Sequence, residues 1–281
     1  MRKGLIMLAV SMLLSLASVA QNAETVDVSK EKDGVYSNTF GELRVEGVVK
    51  DGVKEGTWCE YYANKNLLHR VLQYQKGELN GIYLEIEESG NLQKKVEYAK
   101  GKQNGSSYSW ASGGRLTKKN TYKDGKLDGE QVLCYENGNS QEISNYKDGL
   151  RDGVTTWFDQ TGGKRMMITY KKDLFEGLQE TYYASGGLKS SKMFKNNLQD
   201  GPSVEYYESG DVKSESNYKK GTLQGKVKNY EDKHPELAGK VLKKPEKVEK
   251  ELKKPEKAEK ELNKQMAKPI NDNKLKPLKK E

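Results

Sequence analysis

Glycine recurs along this chain at Gly56, Gly81, Gly105, Gly129, Gly153, Gly177, Gly201 and Gly225, one step of 25 residues followed by six of 24. A period of that length is the mark of a repeat architecture, in which each unit buries its surface against its neighbours. A second column stands four residues earlier, at Gly52, Gly77, Gly101, Gly125, Gly149 and Gly221, with Asp173 and Asn197 in the two gaps. Gly, Asn and Asp tolerate a positive φ better than other residues, so this column reads as a left-handed turn position. A third column, Gly90, Gly114, Gly138, Gly162, Gly186 and Gly210, falls mid-unit, mostly after Ser, Asn or Thr. Such dipeptides between β-prone runs are hairpin signals.

Between the turns the residues are β-branched or aromatic. Five residues after the repeat glycine stand Tyr61, Ile86, Trp110, Cys134, Phe158, Tyr182, Tyr206 and Tyr230. A second apolar column, Tyr74, Tyr98, Tyr122, Tyr146, Tyr170, Phe194 and Tyr218, precedes the next glycine pair. Segments such as Ser203–Tyr206 alternate polar and apolar residues, the period of a half-buried strand. Each unit therefore reads as strand, tight turn, strand, Gly-rich loop. The expected fold is all-β: an elongated antiparallel meander of about eight 24-residue hairpin units, with stacked aromatic columns supplying most of the buried area. Helical repeats are excluded, because two or three glycines per unit would each cost about 1 kcal/mol against Ala in a helix. The fixed leucines and Asn of a leucine-rich repeat are absent.

The unit, exemplified by Gly201-Pro202-Ser203-Val204-Glu205-Tyr206-Tyr207-Glu208-Ser209-Gly210 and then Asn217-Tyr218-Lys219-Lys220-Gly221-Thr222-Leu223-Gln224-Gly225, closely resembles the MORN-repeat variant of many bacterial proteins. The resemblance spans about residues 47–231. It implies a β-hairpin array acting in protein or lipid contacts, with no catalytic residues to carry over. Some bacterial relatives are antitoxins of toxin–antitoxin pairs, so an antitoxin-like or immunity-type partner of a co-encoded effector is the alternative reading.

The two ends differ from the repeat. Residues 1–20 have the order of a secretory signal: Arg2 and Lys3, an apolar run from Leu5 to Leu16, then Ser18-Val19-Ala20, with cleavage expected after Ala20. Ser11 and Ser15 interrupt the run, which is shorter than the roughly 20 residues that cross a bilayer. Residues 21–46 form an N-terminal segment with a degenerate capping repeat around Gly41, residues 47–232 the repeat domain, and residues 233–281 a Lys/Glu/Pro-rich tail. The tail holds five of the six prolines and no aromatic residue, and Leu242, Leu252 and Leu262 recur within Lys-Lys-Pro-Glu-Lys tracts, a composition expected to be disordered. With 16 Lys against 9 acids it carries +7, which leaves residues 21–232 at −1. The charge thus belongs to the tail, which could adsorb to an anionic membrane or polymer, and the near-neutral repeat is no nucleic-acid surface.

The sequence offers no catalytic constellation, cofactor motif or metal-ligand spacing. Its two histidines are His69 and His234, and no GxSxG elbow or phosphate-binding GxxxxGK[ST] loop is present. His69 has Lys94, Lys118, Glu142 and Met166 as counterparts, and Glu60, Glu85 and Glu205 form a column across units; both read as solvated positions. Cys59 and Cys134 are three units apart, about 29 Å at two strands of 4.8 Å per unit, too far for a disulfide. A carbohydrate-modifying or hydrolytic enzyme is the reading from a different class, and it lacks a site. The expectation is an exported, non-enzymatic scaffold, periplasmic, surface-bound or secreted, that binds a protein or envelope component and has no small-molecule substrate. Its candidate binding face is Tyr62, Tyr135, Tyr183 and Tyr207, which adjoin the inward column and so point to the other side of the strand.

Overall fold

The computed structural model describes residues 22–240; the expected signal segment 1–20 and most of the tail, 241–281, lie outside the described residues. Among the described residues the fold is all-β, with nineteen strands that follow one another as antiparallel meanders and one short 3-10 turn, Pro235–Leu237. The chain divides into two compact units at Gly153/Val154. The first contains β1 (Gly34–Phe40), β2 (Leu43–Lys50), β3 (Val53–Tyr62), β4 (Leu67–Gln75), β5 (Glu78–Ile86), β6 (Leu92–Ala99), β7 (Lys102–Ala111), β8 (Arg115–Lys123), β9 (Lys126–Leu127), β10 (Gly129–Cys134), β11 (Ser140–Lys147) and β12 (Leu150–Arg151). The second carries β13 (Gly153–Phe158), β14 (Lys164–Lys171), β15 (Leu174–Tyr182), β16 (Leu188–Lys195), β17 (Leu198–Tyr206), β18 (Val212–Lys219) and β19 (Thr222–Asn229). β1 and β2 form the expected short leading hairpin around Gly41, which has φ +60°.

The turns are distributed differently from the sequence reading. The tightest turns lie at the glycine-pair column, where two successive residues have positive φ: Lys76 at 52° and Gly77 at 81°, Asp148 at 53° and Gly149 at 90°, Lys220 at 49° and Gly221 at 80°. Two positive φ values in a two-residue loop define a type I′ turn, whose twist matches the flanking strands. Asp173 and Asn197 adopt 64° and 66°, as their place in the column requires. The mid-unit turns are wider; in one, the Gly210 amide donates to Tyr207 O (2.9 Å) and the Tyr207 amide to Asp211 O (2.8 Å).

The repeat glycine itself lies inside a strand, not in a loop. At Gly81 the β4–β5 register slips between Leu72 and Tyr74, a bulge, and φ is +115°. Gln73 fills the gap, its Oε1 accepting the Ile82 amide at 2.7 Å, and a Cβ on Gly81 would lie 2.2 Å from that oxygen. Glu97 does the same opposite Gly105, accepting the Ser106 amide at 3.1 Å. Gly47 is the counterpart of Gln73; a Cβ there would fall 2.2 Å from the Trp58 ring, so its lack of a side chain lets that indole lie flat.

Successive units are tied through their turns. The turn amide of Gly77 donates to Lys54 O (2.9 Å), that of Gly101 to Leu79 O, Gly125 to Gln103 O and Gly149 to Leu127 O (each 2.8 Å), and in the second unit Gly221 donates to Gln199 O (2.8 Å). In five turns the other positive-φ residue is held by a side chain of the preceding repeat. Glu55 accepts the Lys76 amide (2.7 Å), Asn80 that of Lys100 (3.2 Å), Asp128 that of Asp148 (3.2 Å), Glu176 that of Asn196 (2.9 Å) and Asp200 that of Lys220 (3.3 Å). The acceptor is always the residue just before the repeat glycine, a column that runs Glu55, Asn80, Asn104, Asp128, Asp152, Glu176, Asp200 and Gln224. Only residues with a side-chain oxygen occupy it, a regularity the sequence reading missed.

The most buried columns are not the aromatic ones. They lie two residues after the repeat glycine (Trp58, Tyr83, Ser107, Gln131, Thr155, Ser203) and on the facing strand (Leu72, Val96, Asn120, Ser144, Ile168). In the first unit the apolar end is a cluster of Trp58, Leu72, Tyr74, Tyr83 and Val96 covered by Ala23, Val26 and Val28. Further along, polar side chains satisfy one another, as where the Gln131 amide donates to Asn120 (2.9 Å) and Asn120 to the Tyr122 hydroxyl (3.0 Å). Aromatic stacking therefore supplies less of the interior than expected, because small polar residues close the sheet face there by hydrogen bonding.

Asp200 allows a test of the side-chain cap. Lys219 donates to it (3.1 Å) and, with the Lys220 amide, holds its carboxyl below the ordinary carboxylate range. A depressed folded-state pKa contributes stability above the unfolded value that is lost as pH falls through the folded one. Asp200→Asn retains an acceptor and Asp200→Ala does not, so at neutral pH melting should fall from wild type to Asn to Ala. The gap between wild type and Asp200→Asn should close in acid, as followed by thermal melts across pH.

Candidate binding surface and cleft

The four expected face residues all sit where a strand enters a mid-unit turn. Tyr62 ends β3, with its ring centroid 4.5 Å from that of His69. The Tyr135 amide closes its turn on Asn139 O at 2.8 Å. In the second unit the Tyr183 hydroxyl donates to Tyr206 O (2.7 Å) and the Tyr207 hydroxyl to Tyr230 O (2.9 Å), each reaching one repeat onward. Lys189 and Lys213 lie over these two rings at 5.6 and 5.9 Å. Tyr183 and Tyr207 are thus brought together on one turn edge, half-buried, bracing adjacent repeats while showing part of each ring to solvent. Neighbouring side chains continue the edge: Ser185 donates to Glu208 (2.8 Å) and Ser209 to Asp232 (2.6 Å).

Beside this edge the second unit has a cleft of about 380 Å³, walled by Tyr182, Tyr206 and Tyr207, with Leu188 and Leu237 at its sides. Residues Lys233–Leu237, tail by composition, form its far wall. The Lys233 amide donates to Asp211 Oδ2 (2.7 Å), and His234 Nδ1 lies 3.1 Å from the same oxygen. Lys164 reaches in from β14, its Nζ 5.6 Å from the Tyr182 ring. Beneath the floor Glu180 is buried and accepts the Tyr182 hydroxyl (2.5 Å). Burial, with the Glu180 carboxylate behind it, pushes the Tyr182 phenol well above its usual range.

The first unit corrects the reading of Glu60 and His69 as solvated. Glu60 is fully buried, accepting the Ala23 amide (2.9 Å) and Arg70 Nη1 (3.3 Å), with His69 Nε2 at 3.5 Å. Its counterpart Glu85 is only partly covered and bonds Arg70 and Tyr83. The cause is the segment Asn22–Ser29, which lies over this end: Lys54 Nζ donates to Ala23 O (2.7 Å) and Glu24 O (2.8 Å), and the Tyr74 hydroxyl to Ala23 O (3.2 Å). Burial lowers the Lys54 pKa and raises that of Tyr74. A buried carboxylate flanked by Arg and a backbone amide is a paired structural charge, and nothing in the repeat period forecasts a non-repetitive segment covering it.

Among the described residues no group of His, Cys, Asp and Glu could hold a metal ion, no helix is long and apolar enough to cross a membrane, and both Cys59 and Cys134 are free. The bracing role yields a test: Tyr183→Phe keeps the ring and removes one hydrogen bond, so it should cost about 0.5–1.5 kcal/mol. Denaturant melts of the two proteins would show it, and an unchanged Tyr183→Phe beside a strongly destabilised Tyr183→Ala would place the brace in the ring instead.

With this geometry in view, the family described as MORN repeat variant matches four segments of the chain, residues 54–76, 127–148, 175–196 and 199–220. No curated protein matches the chain. Each matched segment runs through one hairpin and ends on the first positive-φ residue of the turn that follows, so the chain is similar to MORN-repeat proteins over those segments.

Proposed function

We propose that the protein is an exported, non-enzymatic repeat scaffold that binds a protein or envelope component through its turn edge, with Tyr62, Tyr135, Tyr183 and Tyr207 contributing to the contact surface. The observation that carries this is the arrangement of the hairpins: within each of the two units, backbone and side-chain hydrogen bonds run from the turn of one repeat to the repeat before it. Such a frame holds side chains at fixed intervals and suits recognition on rigid elements. MORN repeats are commonly binding or scaffold modules and typically non-catalytic, which supports the same reading. Tyrosine rings give large, stiff contact area with a polar tip, a composition favoured at interfaces.

Export and the anionic-surface role of the tail are parts of the proposal. Cell fractionation should find the protein outside the cytoplasm with Gln21 as its first residue; a cytoplasmic protein retaining Met1 would contradict it. Residues 241–281 carry 14 Lys against 8 acids. Truncation after Lys240 spares the contacts of Lys233 and His234 with Asp211, and it should abolish adsorption to anionic vesicles at low salt. Equal adsorption by the truncated and full proteins, measured by vesicle sedimentation, would place the attraction on the repeats. The full protein's adsorption should itself weaken as salt rises toward about 0.1 M, where the Debye length is about 10 Å.

A further inference from the structure

We propose that the tyrosine cleft of the second unit binds a neutral pyranose oligosaccharide. This rests on the binding-module reading and adds a ligand class, but it does not depend on export. The cleft volume of about 380 Å³ lies within the roughly 300–1,000 Å³ range of small-ligand sites.

Its chemistry selects among ligands. A pyranose ring presents a flat C–H face that packs on an aromatic ring, and a rim of hydroxyls that each donate and accept. Tyr182, Tyr206 and Tyr207 supply the rings. Lys164 supplies donors, and Glu208 and Asp211 supply acceptors, around the same space. An anionic ligand would meet the carboxylates of Glu208 and Asp211, with Lys164 and the imidazole of His234 as the basic groups on the same lining. A cation would meet Lys164 already placed over the Tyr182 ring. A wholly apolar ligand would strip water from Lys164 and the two carboxylates without replacing their hydrogen bonds, which is costly. A neutral polyhydroxylated ligand satisfies the rings and both kinds of polar group at once.

Two features show that the site is built rather than incidental. The far wall is fixed, because Asp211 holds both Lys233 and His234 and Ser209 holds Asp232. The rings also recur with the repeat: Tyr182 and Tyr206 occupy equivalent positions 24 residues apart, in a column that carries Tyr61 and Trp110 in the first unit and is interrupted there by Ile86 and Cys134. Two strands per repeat place them about 9.6 Å apart along the sheet, a spacing that suits every second sugar of an extended chain better than a single ring.

The test is calorimetric titration of the purified protein with maltohexaose, cellohexaose and chitohexaose, each at low salt and at about 0.5 M, where screening is nearly complete. At least one should bind saturably with affinity unchanged by salt. Tyr206→Ala should weaken that binding by about tenfold or more, Lys164→Glu should weaken it measurably, and Val35→Ala, at an exposed position of the first unit, should leave it unchanged. Lys164 is exposed and outside the packed interior, so its variant keeps the test decisive if Tyr206→Ala melts early. Failure of all three sugars to saturate at millimolar concentration, or binding that neither cleft substitution weakens, would overturn the proposal. So would binding of polygalacturonate in place of the neutral sugars. None of these results bears on where the protein resides, which the fractionation reads separately.

Discussion

The structure depends on the left-handed turn that closes each hairpin and on the amides that turn releases. Two consecutive residues at positive φ cost an ordinary side chain conformational energy, yet Lys76, Lys100 and Lys220 all accept it at the first position. They do so because the turn amides have partners outside their own hairpin. One donates to a carbonyl of the preceding repeat, and the other to the side chain just before that repeat's glycine. A turn that would be a free loop in an isolated hairpin becomes the joint between repeats.

That joint explains why the interior can be so polar. With 34% hydrophobic residues and a mean hydropathy of −0.94, the chain cannot rest on a deep apolar core. Trp58, Leu72 and Val96 form an apolar cluster near the first hairpins, where Ala23, Val26 and Val28 cover them. Elsewhere Asn120, Gln131, Ser144, Thr155 and Ser203 take the buried positions. Asn120, Gln131 and Ser144 are admissible there because neighbouring side chains supply their partners, and the backbone connections between repeats keep those partners in register.

The glycine columns made the all-β repeat legible from sequence, and Asp173 and Asn197 behaved as their column required because φ is a property of residue type. The identity of the turns was less legible. Gly77 and Gly81 read together as a loop, whereas Gly81 sits within β5 at a bulge; the spacing gives positions but not the pairing that separates a bulge from a turn. The cap column from Glu55 to Gln224 could have been read from its uniform side-chain oxygens. The covering of Glu60 by Ala23 could not, since it arises from a non-repeating segment. The bracing hydroxyls of Tyr183 and Tyr207 were equally hidden, because a paired Tyr-Tyr dipeptide shows which faces the rings take and not where their hydroxyls reach. The cleft lay outside the sequence reading because its far wall comes from residues that look like tail.

Amide hydrogen exchange tests the joint most directly. If turn amides bind the preceding repeat, those of Gly77, Gly101, Gly125, Gly149 and Gly221 should be protected to a degree similar to strand amides of the same hairpins, despite lying at exposed loop tips. Exchange of these amides at the rate of an unstructured peptide, while neighbouring strand amides remain protected, would show that the repeats are held together by something other than their turns.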